Sequence, residues 1–227
     1  MHSLGASALS LAERGLFIFP LLARDKRPAT GHGLKDATRD PALIRGWWAE
    51  NPEFNIGVAT GAASRIFVVD VDDAEAELRK LETANGTLPA TVESITAKGR
   101  HLFFRWPKFK IRNSVGKLAP GIDIRGEGGY VVGPPSIHPS GRRYHWSVDS
   151  AKRTAEAPDW LLAKLARDLV ANGADEGTRD CNARLLWLFR CVFCNDTATD
   201  WRLSVGVVAV FLAITVIAVT LISEMLL

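Results

Sequence analysis

The amino-acid sequence predicts an α+β domain with mixed sheets flanked by helices, followed by a separate apolar helix. Two observations predict the domain. The apolar content of 47% in 227 residues is enough for a buried core, and after residue 90 short strand-like segments follow one another with few helices between them. A third observation predicts the separate helix, because residues 205–222 form an apolar run without any charge.

The first part of the domain alternates helical and strand patterns. Apolar residues at helical spacing predict a helix over 3–14, and the uncharged segment 16–22 predicts a buried strand. A polar loop over 26–38, rich in Gly and Pro, separates this strand from a second helix. We expect Asp40 to cap that helix and Pro41 to occupy its first turn.

The rest of the domain is dominated by strands. The segments that predict them are 55–60, 65–72, 91–96, 101–106, 121–124, 129–133 and 142–148. One helix interrupts them over 74–85, with Asp73 as its predicted N-cap and Gly86 at the position where helices end. A final helix, from Asp159 to Ala171, carries leucines along one face.

The chain divides at two points. We expect one domain over 1–172, a linker over 173–202 and an apolar helix over 203–223 that is a candidate transmembrane span. Arg202 before this helix, with Glu224 as the one charge after it, favours a membrane-tethered domain that faces the cytoplasm. The alternatives are a buried helix and a tail produced by truncation of a longer gene. Three cysteines without a secretory signal indicate a reducing, cytoplasmic compartment.

Two carboxylates end an apolar strand. Residues 66–69 lead into Asp70-Val71-Asp72, and because side chains alternate across a strand, Asp70 and Asp72 share one face. Two like charges at this spacing repel each other unless a cation lies between them, and oxygen ligands favour Mg²⁺ or Mn²⁺. The alternative is a strand end whose carboxylates are merely solvated.

A third carboxylate lies on a distant strand. Asp123 stands between Ile122 and Ile124, again at the edge of an apolar segment. Three strand-borne aspartates fit a two-metal phosphoryl-transfer site, in which the metals neutralise a triphosphate and bind the attacking and leaving oxygens. The alternative is an aspartate that belongs to the turn before the Gly-rich segment.

Basic residues surround a histidine between these acids. No Asp or Glu occurs within 94–122, whereas seven Lys and Arg residues do, and the first 174 residues carry a net charge of +5. His101 starts a predicted strand in this interval. A basic hairpin with Lys108, Lys110 and Arg112 along a template backbone suits a polyanion whose phosphates meet the metals. The alternatives are a solvated edge strand and a satisfied surface imidazole.

Together these segments resemble a known family, the primase-polymerase (Prim-Pol) domain of the archaeo-eukaryotic primase superfamily. The resemblance covers about residues 5–170, and it lies in the segments KRPATGHGLKDAT, NIGVATG, VVDVD, KGRHLFF and GIDIRGEGGYVVGPPSIHPSGRRY. It implies that Asp70, Asp72 and Asp123 bind the catalytic metals and that His101 contacts the phosphates of the incoming nucleotide. This chain has Gly99 where some members carry Ser.

The resemblance also indicates residues that contact nucleotide or template, namely Arg100, Arg125 and Ser136. It implies template-directed nucleotidyl transfer, as a DNA primase or polymerase of a phage, plasmid or other mobile element. The expected cofactor is Mg²⁺ or Mn²⁺, and the expected partners are single-stranded DNA and NTP or dNTP. A separate helicase is a further expected partner, because the sequence contains no Walker A pattern.

Two other functions remain open on the sequence alone. One is a metal-dependent glycosyltransferase, in which an apolar strand ending in Asp-x-Asp holds a divalent metal against the diphosphate of a sugar nucleotide. The other is a non-catalytic remnant that binds nucleotide or DNA. The glycosyltransferase accounts for the aspartate pair and a membrane anchor, but it leaves the basic interval unexplained.

Overall fold

The structure, a computed structural model, describes residues 3–171 and has the predicted α+β fold. The described residues form the helices α1 (Leu4–Glu13), α2 (Pro41–Glu50), α3 (Glu75–Asn85) and α4 (Asp159–Ala171), with a 3₁₀ helix at Gly33–Asp36. The strands are β1 (Ile18–Leu21), β2 (Asn55–Ala59), β3 (Ile66–Asp72), β4 (Val92–Ile95), β5 (Gly99–Arg105), β6 (Ser114–Ala119), β7 (Ile122–Arg125), β8 (Tyr130–Gly133) and β9 (His145–Trp146).

The strands form two sheets in which the named strands pair antiparallel. The smaller sheet has the order β1-β2-β8, and the larger one has the order β6-β7-β3-β5-β4-β9. Parallel pairing occurs at isolated bridges, for example between Phe104 and Ala155. The two strands that carry the predicted site, β3 and β5, therefore lie side by side in the middle of the larger sheet.

Strand β3 is buried on both faces. Phe67, Val69 and Val71 pack into a core with α3 and α4, whereas Ile66 and Val68 pack into a second core with α1, α2 and the smaller sheet. A strand that is covered on both faces carries a continuous apolar run instead of an alternating one. Each fully buried side chain of this size stabilises the fold by about 1.5–3 kcal/mol, so the strand is fixed firmly in place.

Local sequence signals set most of the helix ends, with one exception. Asp40 caps α2 through its side chain, and α3 ends at Gly86, whose φ of +106° suits glycine. The prediction that Asp73 caps α3 is wrong, because the N-cap is Ala74 and no side chain caps this end. Asp73 has a φ of +49° and donates its backbone N–H to the carbonyl of Lys98, so it forms the turn after β3.

The prediction that the basic interval between the acidic residues forms a hairpin is also wrong. Strand β5 pairs with β3 and β4, whereas β6, which the sequence did not predict, pairs with β7 at the edge of the sheet. The reason is burial, because residues 101–104 are buried on both faces and must lie inside the sheet. The exposed residues Lys108 and Lys110 lie in the connection between β5 and β6. The strand predicted over 142–148 is reduced to β9.

The predicted linker over 173–202 and the apolar helix over 203–223 lie outside the described residues. Within residues 3–171, no helix has the length and apolar character required to cross a membrane. The division of the chain at residue 172 stays a prediction.

We expect truncation after Ala171 to leave a soluble protein that unfolds cooperatively. The three buried apolar clusters of the described residues are all formed before this position, so the fragment retains those contacts. Chemical denaturation followed by near- and far-ultraviolet circular dichroism tests this expectation. Non-coincident transitions, aggregation, or a midpoint far below that of the full chain would show that later residues belong to the core.

Candidate active site

A row of polar side chains crosses the larger sheet on one face. His101 on β5 and Asp123 on β7 both lie directly opposite Asp70 on β3. Ser94 on β4 continues the row, opposite His101. Side chains in directly opposite positions have Cβ atoms about 4.5–5.5 Å apart, so the register alone brings these groups together. The sequence predicted three of the four residues, and antiparallel pairing makes them neighbours.

Arg125 lies between two of the carboxylates. Its Nη2 atom is 2.9 Å from Oδ2 of Asp123 and 3.3 Å from Oδ2 of Asp70. Asp123 also accepts a hydrogen bond of 2.9 Å from the backbone N–H of Gly116 through its other oxygen. The guanidinium therefore supplies the positive charge that two facing carboxylates require.

Asp70 is buried, and one of its oxygens lacks an aligned hydrogen bond from the described residues. Its Oδ1 atom is 3.3 Å from Nε2 of His101, yet it accepts no well-aligned hydrogen bond from any residue between 3 and 171. Burial by itself raises the pKa of Asp70, but the adjacent His101 ring and the charge of Arg125 outweigh burial and lower the pKa below its ordinary value. Asp70 is therefore ionised near neutral pH, and one of its oxygens has no aligned hydrogen bond.

Asp72 lies at the exposed end of β3, two residues beyond Asp70 on the same face. Partial burial of its carboxyl group raises its pKa, and the negative charge of Asp70 raises it further. The charges of Lys26, His101 and Lys98 act in the opposite direction but do not offset burial and the charge of Asp70. A cation bound between the two aspartates would relieve the repulsion.

Two adjoining pockets open on either side of Asp70 and His101. A small one is lined by Lys26, Asp72, Lys98, His138 and Tyr144. A larger one of about 290 Å³ extends towards the smaller sheet and is lined by Asn113, Arg125, Gly128, Gly129, Tyr130 and Val131. The site is therefore a cleft between the two sheets, with acids at its centre and basic side chains at its sides.

Lys26, Tyr130 and Tyr144 are site residues that sequence reasoning missed. Lys26 and Tyr144 line both pockets, and the hydroxyl of Tyr130 donates a 3.0 Å hydrogen bond to the carbonyl of Lys26, which fixes the position of its loop. Burial raises the pKa of Tyr144 far above its ordinary value, and the charges of Asp70 and Asp72 add to this effect. Lys26 belongs to the polar loop over 26–38, which is rich in Gly and Pro. The position of Lys26 in this loop was the one sequence feature that could have indicated a site residue.

Two predicted residues lie away from the cleft. Arg100 alternates with His101 along β5, so it faces the opposite side of the sheet, where it pairs with Glu75 at 2.8 Å and Glu93 at 3.4 Å. Ser136 is fully buried, and its hydroxyl accepts a 2.8 Å hydrogen bond from the backbone N–H of Ile56. Both residues stabilise the fold around the site rather than line its pockets.

The donor set fits a divalent metal at the aspartate pair. Carboxylate oxygens are the ligands that Mg²⁺ and Mn²⁺ prefer, and Asp70, whose Oδ1 atom accepts no aligned hydrogen bond from residues 3–171, lies two residues before the exposed Asp72 on the same face. In residues 3–171, however, no three His, Cys, Asp or Glu side chains converge closely enough to hold a metal by themselves. Asp123 binds Arg125, and its role as a third ligand stays a prediction.

Comparison with protein-family models identifies the family of the chain. The model of the bifunctional DNA primase/polymerase N-terminal domain matches residues 8–160, which is more than half of the chain. The chain belongs to the Prim-Pol family. The Prim-Pol match spans every strand and all the residues that line the cleft, so at the level of the family this is a primase/polymerase-type domain. No curated protein matches the chain.

We expect Asp72→Asn to raise the melting temperature of the metal-free protein at neutral pH. The folded-state pKa of Asp72 lies above its ordinary value of 3.8, so its ionised form destabilises the fold. The gain should disappear as the pH falls below the ordinary value, because Asp72 is then protonated in both states. Thermal unfolding in a chelator at several pH values measures the effect.

Asp73→Asn is the matched control, because it removes one charge from the adjacent exposed position and Asn tolerates the positive φ. Asp70→Asn should have the opposite effect from Asp72→Asn and destabilise the protein by about 1–3 kcal/mol, because it removes the charged partner of His101 and one of the two carboxylates that contact Arg125. The stability that Asp70 contributes is present above pH 3.8 and is lost as the pH falls through its lowered pKa. Equal effects of the two substitutions would contradict this account of the site.

Proposed function

We propose that this Prim-Pol domain catalyses template-directed nucleotidyl transfer, as a DNA primase, a DNA polymerase or both, in the replication of a phage, plasmid or other mobile element. The observation that carries the proposal is the register that places His101, Asp70 and Asp123 in one row inside a cleft between the sheets. Cationic side chains beside an acidic centre suit a metal-bound triphosphate. The substrates are NTP or dNTP on a single-stranded DNA template.

The acidic side chains of the row would hold the metal. Asp70 and Asp72 are the ligands that the geometry favours, with Asp123 as the third that the family resemblance implies. When bound, Mg²⁺ or Mn²⁺ supplies charge neutralisation to the triphosphate. Arg125 contacts one oxygen of Asp70, so its role is to orient the carboxylate, whose other oxygen accepts no aligned hydrogen bond from residues 3–171.

The basic side chains of the cleft would bind the phosphates. His101 presents Nε2 towards Asp70, and its ring is buried between β3 and β4, which fixes its orientation. Lys26 and Lys98 line the small pocket beside Asp72, where their charges oppose the two aspartates. Burial lowers the pKa of His138 and the charges of Lys26 and Lys98 lower it further, so this ring is neutral at physiological pH and serves as a hydrogen-bonding group.

The larger pocket would accommodate the sugar and base. Its wall at Gly128 and Gly129 lacks side chains, and a Cβ atom at Gly129 would lie 2.3 Å from Oδ1 of Asn113. Glycine is therefore required for the backbone to approach this asparagine. Tyr130 and Tyr144 add aromatic surface to the same pocket.

Membership of the Prim-Pol family disfavours the glycosyltransferase alternative. A non-catalytic remnant that binds nucleotide remains a competing function. An activity assay distinguishes it from the proposed nucleotidyltransferase. The proposal also includes a separate helicase as partner, a membrane tether and a cytoplasmic location. Experiments on the full chain test these three parts.

Primer synthesis and extension on single-stranded DNA, with NTP or dNTP and with Mg²⁺ or Mn²⁺, tests the proposal. We expect the full chain to be active and both Asp70→Asn and Asp72→Asn to lose activity, because each removes a charge that a cation requires. Asp73→Asn should remain active. If Asp70→Asn retains full activity, the metal proposal fails, and if the unmodified chain is inactive in every condition, the remnant reading replaces the proposed function.

We expect His101→Ala to raise the KM for nucleotide roughly ten- to a hundredfold, because a charge-assisted contact contributes about 1.5–3 kcal/mol. Arg100→Ala is the matched control, since it removes the adjacent cation on the opposite face of β5, where Glu75 and Glu93 are its partners. Its KM should be unchanged. Equal KM values for the two variants would place the nucleotide away from His101. Melting temperatures of both variants must be compared to exclude loss of fold.

A further inference from the structure

A second cleft lies at the other end of the larger sheet. It has a volume of about 1050 Å³ and forms where the end of α1, the turn between β2 and β3, the end of β5 and the segment 152–154 meet. Six of the side chains that line it are basic, and none of the described residues that line it is acidic: Arg14, Arg39, Arg65, Arg105, Lys152 and Arg153. We call it the basic cleft.

Most of these cations lack a counter-ion. Arg105 pairs with Glu156 at 3.3 Å, and the guanidinium of Arg39 lies 5.0 Å from the centre of the Phe17 ring. The other four make no ion pair with any residue between 3 and 171. Like charges gathered in one concave surface repel each other and create a positive potential, which favours an anionic ligand.

The floor of the basic cleft is apolar and aromatic. Phe103, Trp106 and Trp146 line it, and the rings of Phe103 and Trp146 pack with their centres 5.8 Å apart. Both tryptophans are partly exposed. A surface that combines aromatic faces with surrounding cations suits a ligand that has flat rings and phosphates, because bases stack on the aromatic side chains while the phosphates meet the cations.

The basic cleft is separate from the acidic row. Ile66 lines it, and Asp70 lies four residues further along the same face of β3, which is about 13 Å. Val68 lies between them and is fully buried under the core of α1, α2 and the smaller sheet. A ligand in the basic cleft therefore does not contact the acidic row directly.

We propose that the basic cleft binds single-stranded nucleic acid without sequence preference, through phosphate contacts and base stacking. Its role as a holding site for the template rests on the proposed function, whereas its affinity for a single strand does not. In a duplex the bases are stacked on one another, so they offer no free face to a tryptophan ring. The aromatic floor therefore favours a single strand over a duplex.

Binding of the full chain to fluorescein-labelled oligothymidylate, titrated without nucleotide or divalent metal over a range of salt concentrations, tests this proposal. The variant is Arg14→Gln/Lys152→Gln/Arg153→Gln. The matched control is Lys35→Gln/Arg45→Gln/Arg79→Gln, which removes the same charge from exposed positions that do not line the cleft. The first should bind at least about tenfold more weakly and show a salt dependence lower by about 0.7 per lost phosphate contact, roughly 2 in total. The control should bind like the unmodified chain.

Two further variants separate the possible outcomes. Trp106→Leu should weaken binding of the single strand at least about fivefold and leave binding of a duplex of the same length unchanged. Asp70→Asn should bind the oligonucleotide normally even if it is inactive.

If the unmodified chain makes primers but both triple variants bind alike, the cleft proposal fails while the proposed function stands. If the unmodified chain is inactive but only the cleft variant loses binding, the cleft proposal stands and the proposed function fails. Equal losses for single strand and duplex would overturn the single-strand assignment.

Discussion

The site depends on the register of β3 between β5 and β7. Because side chains alternate along a strand, a shift of one residue would turn Asp70 into the core below α3 and bring Val69 into the cleft. Burial of Val69 and Val71 against that core is what excludes the shift. The positions of the carboxylates in the row are therefore set by hydrophobic packing on the face of the sheet that they do not occupy.

Once this register forms, the row brings together charges that repel each other. Asp70 and Asp123 are directly opposite, an arrangement that destabilises a sheet unless it is compensated. Arg125 compensates it from the same strand as Asp123, two residues further and hence on the same face. Asp72 forms no ion pair with any residue between 3 and 171; burial and the charge of Asp70 raise its pKa, whereas at Asp70 the effects of His101 and Arg125 outweigh burial and lower the pKa. The unbalanced charge lies at the solvent end of β3, where a cation can enter.

Local patterns were sufficient for the features that depend on neighbouring residues. The shared face of Asp70 and Asp72 follows from strand periodicity, and the end of α3 at Gly86 follows from backbone conformation. Lys26 and Tyr144 could not be predicted, because both lie outside the strands and reach the cleft through tertiary contacts of irregular segments, such as the hydrogen bond from the Tyr130 hydroxyl to the carbonyl of Lys26. The position of Arg100 could have been predicted, since it adjoins His101 and must face the other way.

The two clefts lie at opposite ends of one face of β3 and differ in how their charged side chains are held. Around Asp70, the side chains of His101, Arg125 and Asp123 are held by contacts of 2.9–3.3 Å, which fix the positions of their atoms. In the basic cleft, four cations on long side chains form no ion pair with residues 3–171, and such groups suit the flexible backbone of the single strand that we propose as ligand. Val68 and the core around it keep the two environments apart. A cleft of cationic side chains can therefore coexist with the acidic row without neutralising its carboxylates.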